Sequence, residues 1–128
     1  MERFGSSGPW EQAVGHSRVV RAGSLVFVAG CTAVGPDGEL IGGASAYAQA
    51  VQACQNIEAA LGQAGATLAD VVQTRMYVTD IARWEEVGRA HAEAFGAAPP
   101  VSTMVEVSAL IDPRILVEIE AVAYVSET

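Results

Sequence analysis

The chain contains no lysine. All seven basic residues are arginines, set against 15 acidic residues, for a formal net charge of −8 over 128 residues. Without lysine there is no Schiff-base chemistry through a side-chain amine, no internal aldimine with pyridoxal phosphate, and no lysine-bearing phosphate loop. So little positive charge makes nucleic acid a poor partner, because a phosphate backbone is repelled by an acidic surface. Two cysteines (Cys31, Cys54) and two histidines (His16, His91) have no zinc-site spacing, so no metal is expected. The two cysteines are far enough apart in sequence to close a disulfide, but a reduced intracellular pair is the expectation. Five prolines do not make a Pro-rich linker. No apolar run approaches the roughly 20 residues of a membrane helix, so no membrane partner is expected. The first residues, MERFGSSGPWEQ, carry one arginine and no apolar stretch, unlike a secretory signal, which makes the cytoplasm the expected location.

What is present is a hydrophobic fraction of 51% with 17% charged residues, too apolar for disorder and the right length for one domain over 1–128. Residues 1–14 read as an N-terminal arm without an element of its own. HSRVVRAG and LVFVAG, separated by Gly23-Ser24, predict a β-hairpin. Gly35-Pro36-Asp37-Gly38 is a turn, with at most a brief strand over 39–41. Residues 45–64 predict a helix whose apolar stripe is Tyr47, Ala50, Val51, Cys54, Ile57 and Leu61, with Gln49, Gln52, Asn56 and Gln63 on the other side. Gly65 stops it, and Thr67 to Asp70 reads as a short capped turn. VVQTRMYVT predicts a strand with Val72, Thr74, Met76 and Val78 on one face. Asp80 caps a second helix, about 81–95, with Trp84, Val87, His91, Ala94 and Phe95 as its stripe. VSTMVEV and LVEIEAVAYV are two further strands. Trp10 and Trp84 read as packing anchors, Trp10 reaching over a neighbouring subunit.

The order β-β-α-β-α-β-β predicts an α+β fold, a mixed sheet of five to six strands with two helices on one face. On the last strand, Val117, Ile119, Ala121, Ala123 and Val125 form one side. Leu116, Glu118, Glu120, Val122 and Tyr124 form the other, which two helices cannot also cover. Val122 and Tyr124 beside Met104 would leave an apolar patch in water, so a homo-oligomer packed through the bare face is expected.

VFVAG in the hairpin, QNIEAAL in the helix, GATLADVVQTRMYVTD and the C-terminal LVEIEAVA together resemble the Rid (YjgF) family, in order and over nearly the whole chain from Gly15. The resemblance implies a chorismate-mutase-like fold, a homotrimer with three inter-subunit clefts for a small-molecule ligand, and hydrolysis of reactive imines and enamines with no cofactor. It further implies that Glu118 orients the attacking water and that Gly30 is a backbone donor. His16 falls where a tyrosine lines the cleft, Cys31 follows Gly30, and Gly88 and His91 are cleft-adjacent. Deaminating members carry Pro-x-Arg at the penultimate strand, the arginine holding a substrate carboxylate. Here the segment reads Pro100-Val101-Ser102, followed by Thr103 and Met104. A serine supplies neither the charge nor the fork of donors. The loop over 110–114 is one residue longer than in those members, and whether its Arg114 reaches the cleft is left open.

Each residue also has a plainer reading. Glu118 on a strand suits an acid or base, or an ordinary carboxylate paired with Arg75. Glu120 is the more structural of the two. His16, as an imidazole, suits proton transfer or ligand binding. His91, on an apolar stripe, reads first as a core histidine. Cys31 could be activated by His16 as a thiolate, but a small buried thiol is the plainer reading. Three functions follow: a cofactor-independent hydrolase or deaminase of imines or enamines, a non-enzymatic metabolite-binding trimer, and, against the charge balance, an RNA-acting protein.

Overall fold

The structure, a computed structural model, describes residues 1–6 and 8–126. The hairpin forms as expected. Strand β2 (Val19–Ala22) pairs antiparallel with β3 (Leu25–Cys31), with Ala22 opposite Leu25. Of the two loop residues only Gly23 has positive φ (+63°), which excludes a type I′ turn and fits a glycine-first loop.

Helix α2 (Ala46–Gln63) starts where the Ser45 hydroxyl accepts the Ala48 N–H at 3.0 Å. It ends on Gly65, φ +79°, with the Ala66 N–H bonded to the Leu61 carbonyl and the Gly65 N–H to that of Gly62. Its buried face is largely alanine: Ala46, Ala50, Ala53 and Ala60 let the helix approach the sheet closely, while Ile57 and Leu61 fill the space between. Gln49, expected on the polar side, is instead fully buried. Its amide donates to the carbonyls of Gly43 (2.8 Å) and Arg114 (2.9 Å) and accepts from the Leu116 N–H (2.9 Å), which ties the loop before α2 to the loop before β6.

The capped turn over Leu68–Asp70 is present, with the Thr67 N–H held by the Asp70 carboxylate. Strand β4 (Val71–Val78) follows, then α3 (Trp84–Phe95) after a 3-10 turn begun by Asp80. Strand β5 (Val101–Glu106) returns parallel to β4, and β6 (Val117–Tyr124) inserts antiparallel between β3 and β4. The arm holds structure that its irregular sequence did not announce. Strand β1 (Glu2–Phe4) adds to β2, and Glu11–Val14 form one helical turn, α1. The sheet order is therefore β1-β2-β3-β6-β4-β5, with α2 and α3 on one face.

Several faces differ from expectation. A register shift between Val71 and Gln73 turns Val71 inward and leaves Val72 exposed. Trp84 is more than half exposed at the start of α3 and anchors nothing in the core. Met104 pairs with buried Met76 on the helix side of the sheet, so it does not join the bare-face patch. That patch is Leu25, Phe27 and Tyr124 together with Val101 and Val105. The alternation of β6 is as read: Val117, Ile119, Ala121 and Ala123 are buried and Glu118, Glu120, Val122 and Tyr124 face out. No helix among the described residues is long and apolar enough to cross a membrane.

Candidate functional site

Strand β3 carries one residue more than β6 between the Val28–Ala121 and Cys31–Ile119 pairs. The resulting bulge breaks the ladder at Ala29 and Gly30, and bulges of this kind re-aim side chains beside functional sites. A cleft of about 610 Å³ opens here, between the arm, the bulge, α2 and the loop at Ile111. Of the expected residues, His16, Gly30, Cys31 and Glu118 all line it.

Glu118 stands on β6 with its side chain laid over Gly30. A Cβ at Gly30 would lie 2.7 Å from the Glu118 carboxyl carbon and 2.8 Å from one oxygen, so glycine is what makes room for the carboxylate. Burial pushes the Glu118 carboxyl above its ordinary value. Arg18 and His16 pull it down and Glu120 pushes it further up, leaving a net rise.

The organiser of the cleft is a residue the sequence reading passed over. One Nη of Arg18 donates to the carbonyls of Ala29 (3.0 Å) and Gly30 (2.6 Å) and approaches Cys31 Sγ at 3.6 Å. The other lies 3.4 Å from His16 Nε2. Its Nε is 3.6 Å from Glu11, which is nearly buried in α1. Arg18 therefore bonds the carbonyls of the bulge and ties the arm to the cleft. Glu11 is held in turn by the Ser6 hydroxyl and N–H. Burial alone would raise Glu11, but Ser6, Arg18 and His16 bring it below its ordinary value. The available signal was an arginine two residues after His16, opening a strand with a glutamate upstream.

Cys31 is buried, and burial raises its thiol despite Arg18. His16 meets Arg18 rather than the sulfur, so no Cys–His pair of the activated kind forms. Cys54 is core, its thiol pushed up to about 12 by burial. Both cysteines are free.

The remaining expected residues lie elsewhere in the chain. Ser102 is exposed on β5 opposite Thr74, whose hydroxyl is 2.8 Å from Ser102 Oγ and 2.8 Å from His91 Nε2. His91 stacks on Phe95, 4.6 Å between centroids, and burial lowers its pKa. Thr103 is opposite Arg75, on the bare face. Gly88 on α3 is near only Trp84, and a Cβ there would make ordinary contact. None of these reaches Glu118 within one chain. Arg114 is engaged by Asp112 in a paired contact (3.1 and 2.8 Å) and does not line the cleft, although Ile111 of the same loop does. Arg75 pairs with Glu120 at 3.8 Å, and Tyr77 donates to Glu120 at 2.5 Å, so Glu120 is the structural carboxylate and Glu118 the uncommitted one.

A two-helix layer on one face of a six-stranded mixed sheet, with a carboxylate-bearing cleft at a bulge, defines an α+β protein with a small-molecule-sized site. Residues 7–125 match the family model described as Endoribonuclease L-PSP. A RutC family protein of Pyrococcus abyssi is 36% identical over 119 residues, covering 91% of this chain and 87% of that protein. The crystal structure of a YjgF-family protein from Mycobacterium tuberculosis is 57% identical with a TM-score of 0.88, covering 97% of this chain and 98% of that one. The structure of E. coli TdcF with bound serine is 26% identical with a TM-score of 0.81, covering 97% and 94%. The chain belongs to the Rid (YjgF) family.

Proposed function

We propose that this protein is a cofactor-independent hydrolase of small imines, or of enamines through their imine tautomers, working in clefts completed by neighbouring subunits of a trimer. The observation that carries this reading is Glu118, a half-buried carboxylate of raised pKa laid over Gly30 in the cleft. A desolvated carboxylate is a stronger base, and it faces a space large enough for a small substrate and a water. Glu118 takes a proton from water as the oxygen adds to the imine carbon. The proton then goes to nitrogen, the carbon–nitrogen bond breaks, and ammonia leaves a carbonyl product. One water is consumed and no electrons are transferred. His16 and the Arg18-braced turn at Gly30 border the same space. The bound serine of the E. coli relative supports a small nitrogen-bearing metabolite as ligand.

The exposed Leu25, Phe27, Val101, Val105 and Tyr124 on the bare face support the trimer. In that arrangement Ser102, Thr103, Met104, Gly88 and His91 of one protomer approach Glu118 of the next. The test is ammonia release from a panel of short-lived imines and enamines. Protein should accelerate it, and Glu118→Gln should lower the acceleration by about a hundredfold or more. Equal rates with and without protein across the panel reject the hydrolase.

A second reading, metabolite capture without turnover, is favoured by Ser102. Its hydroxyl is hydrogen-bonded to Thr74 and offers no positive charge to a substrate. Calorimetry separates the two, since tight binding without product supports capture. Cleavage of RNA is disfavoured by the net charge of −8.

A further inference from the structure

Three side chains away from the bulge are joined in line. Thr74 on β4 and Ser102 on β5 are opposite each other in the parallel pair, and their hydroxyls are 2.8 Å apart. On its other side Thr74 Oγ1 is 2.8 Å from Nε2 of His91 on α3. Thr74 is 1% exposed, and the His91 ring lies against Phe95, so packing holds both in place. Ser102 is exposed on β5, the last strand of the sheet. The line thus runs from a half-buried imidazole, through a buried hydroxyl, to a hydroxyl at the surface.

A threonine hydroxyl has one proton to give, so only two arrangements make both bonds. In one, Nε2–H donates to Thr74, Thr74 donates to Ser102, and the Ser102 proton is free to point outward. In the other every bond is reversed, and Ser102 shows only lone pairs to the outside. Passing from the first to the second hands one proton from Ser102 to whatever it touches. An imidazolium takes only the first arrangement, and it ends as a neutral ring protonated on Nδ1. Among the described residues nothing bonds Nδ1, so neither state is imposed from the far side of the ring. The charged groups on the elements around α3 are Glu58 on α2, Asp70, Arg75, Arg83 and Glu106. None of them moves His91, whose pKa is lowered by burial alone.

We infer that Ser102 is the proton donor of the site, supplied through Thr74 by His91. The inference rests on the proposed hydrolysis and names the source of its second proton. Adding water to the imine puts one proton on nitrogen. Expelling ammonia needs another, which Ser102 gives as the carbon–nitrogen bond breaks. Thr74 reprotonates Ser102, and Nε2–H reprotonates Thr74. The hydroxyl proton of the adduct goes to Glu118 as the carbonyl forms, and His91 regains its proton from solvent. Ser102 touches the ligand, whereas Thr74 and His91 are positioning residues that act through it.

Two measurements on the full chain in its native oligomer test it. The first follows the His91 titration by nuclear magnetic resonance of the imidazole. In Ser102→Asp the new carboxylate only accepts, so Thr74 must donate to it and take the Nε2 proton. The His91 midpoint should rise, and adding Thr74→Val should cancel most of the rise. A rise that survives Thr74→Val is charge acting through space and overturns the relay, as does no rise at all. The second measurement is ammonia release. Ser102→Ala and Thr74→Val should each lower kcat by about tenfold or more with KM little changed, and Thr74→Ser should keep the parental kcat. Equal kcat in the parent and Ser102→Ala overturns the inference while leaving the hydrolase standing. A parent that releases no ammonia rejects the hydrolase, and the titration then decides the relay by itself.

Discussion

The carboxyl group of Glu118 occupies the volume that a side chain at position 30 would need, with 2.7 Å from its carboxyl carbon to a Cβ built on Gly30. Gly30→Ala therefore has one soft neighbour to displace, and that neighbour is the proposed base. The expected outcome is a protein that folds, losing about 1 kcal/mol or less, with imine hydrolysis or ligand affinity down by about tenfold or more. Thermal melting together with a rate or binding assay checks both halves.

Burial disfavours the charged form of Glu118 in the folded protein. Its folded pKa is raised, so the native state binds more protons than the unfolded chain between the ordinary value, 4.5, and the folded one. Its contribution to stability is full below 4.5 and is lost as pH rises through the folded value. Glu118→Gln should raise the melting temperature at pH 7, and the gain should vanish below 4.5. Melting the two proteins across pH measures it.

Arg18 and Glu11 fasten the arm to the bulge, with side chains only 16% and 11% exposed. Arg18→Met leaves Glu11 short of its cation and two bulge carbonyls short of a donor, at a cost of about 2–4 kcal/mol. Adding Glu11→Gln should recover part of that cost, because the stranded charge goes with it. A double-mutant cycle by urea denaturation gives the coupling.

Burial lowers the folded-state pKa of His91 from 6.5. The unfolded chain binds the extra proton first. The His91 contribution is thus complete above 6.5 and is lost as pH falls from there through the folded value. His91→Gln, which can keep a bond to Thr74, should flatten this part of the stability–pH curve relative to the parent. Parallel denaturation curves at several pH values read the difference.

The bare face predicts association. Placing charge in its apolar patch through Phe27→Asp with Tyr124→Asp should shift the protein toward monomer, by sedimentation at micromolar concentration. A parent chain that sediments as a stable monomer would remove the basis for inter-subunit clefts.

Local pattern made the elements readable. The alternation of β6, the Gly23 turn, the Ser45 and Gly65 ends of α2 and the Thr67–Asp70 turn each depend on residues a few positions apart. Glu118, Gly30, His16 and Cys31 could be proposed together because the resemblance extends along the chain, and the structure brings all four to one cleft.

The misplaced residues share a cause. Gln49 looked polar and is buried because two loops, one of them more than 60 residues away in sequence, bring it hydrogen-bond partners. Val72 and Met104 follow from a register shift and from which side of the sheet the helices cover. Residues 1–14 have no period because β1 borrows its hydrogen bonds from β2 and α1 is fastened through Glu11.

By itself, then, the sequence determined the kind of molecule: lysine-free, acidic, with two amphipathic helices and a last strand carrying carboxylates on its outer side. Those features arise from composition and from periods of 3.6 and 2, which are local. Only the tertiary structure decided that Arg18 is directed at the bulge and at Glu11 while Glu118 has no hydrogen-bond donor among the described side chains. Charge pairing depends on distances between segments that a linear pattern does not contain.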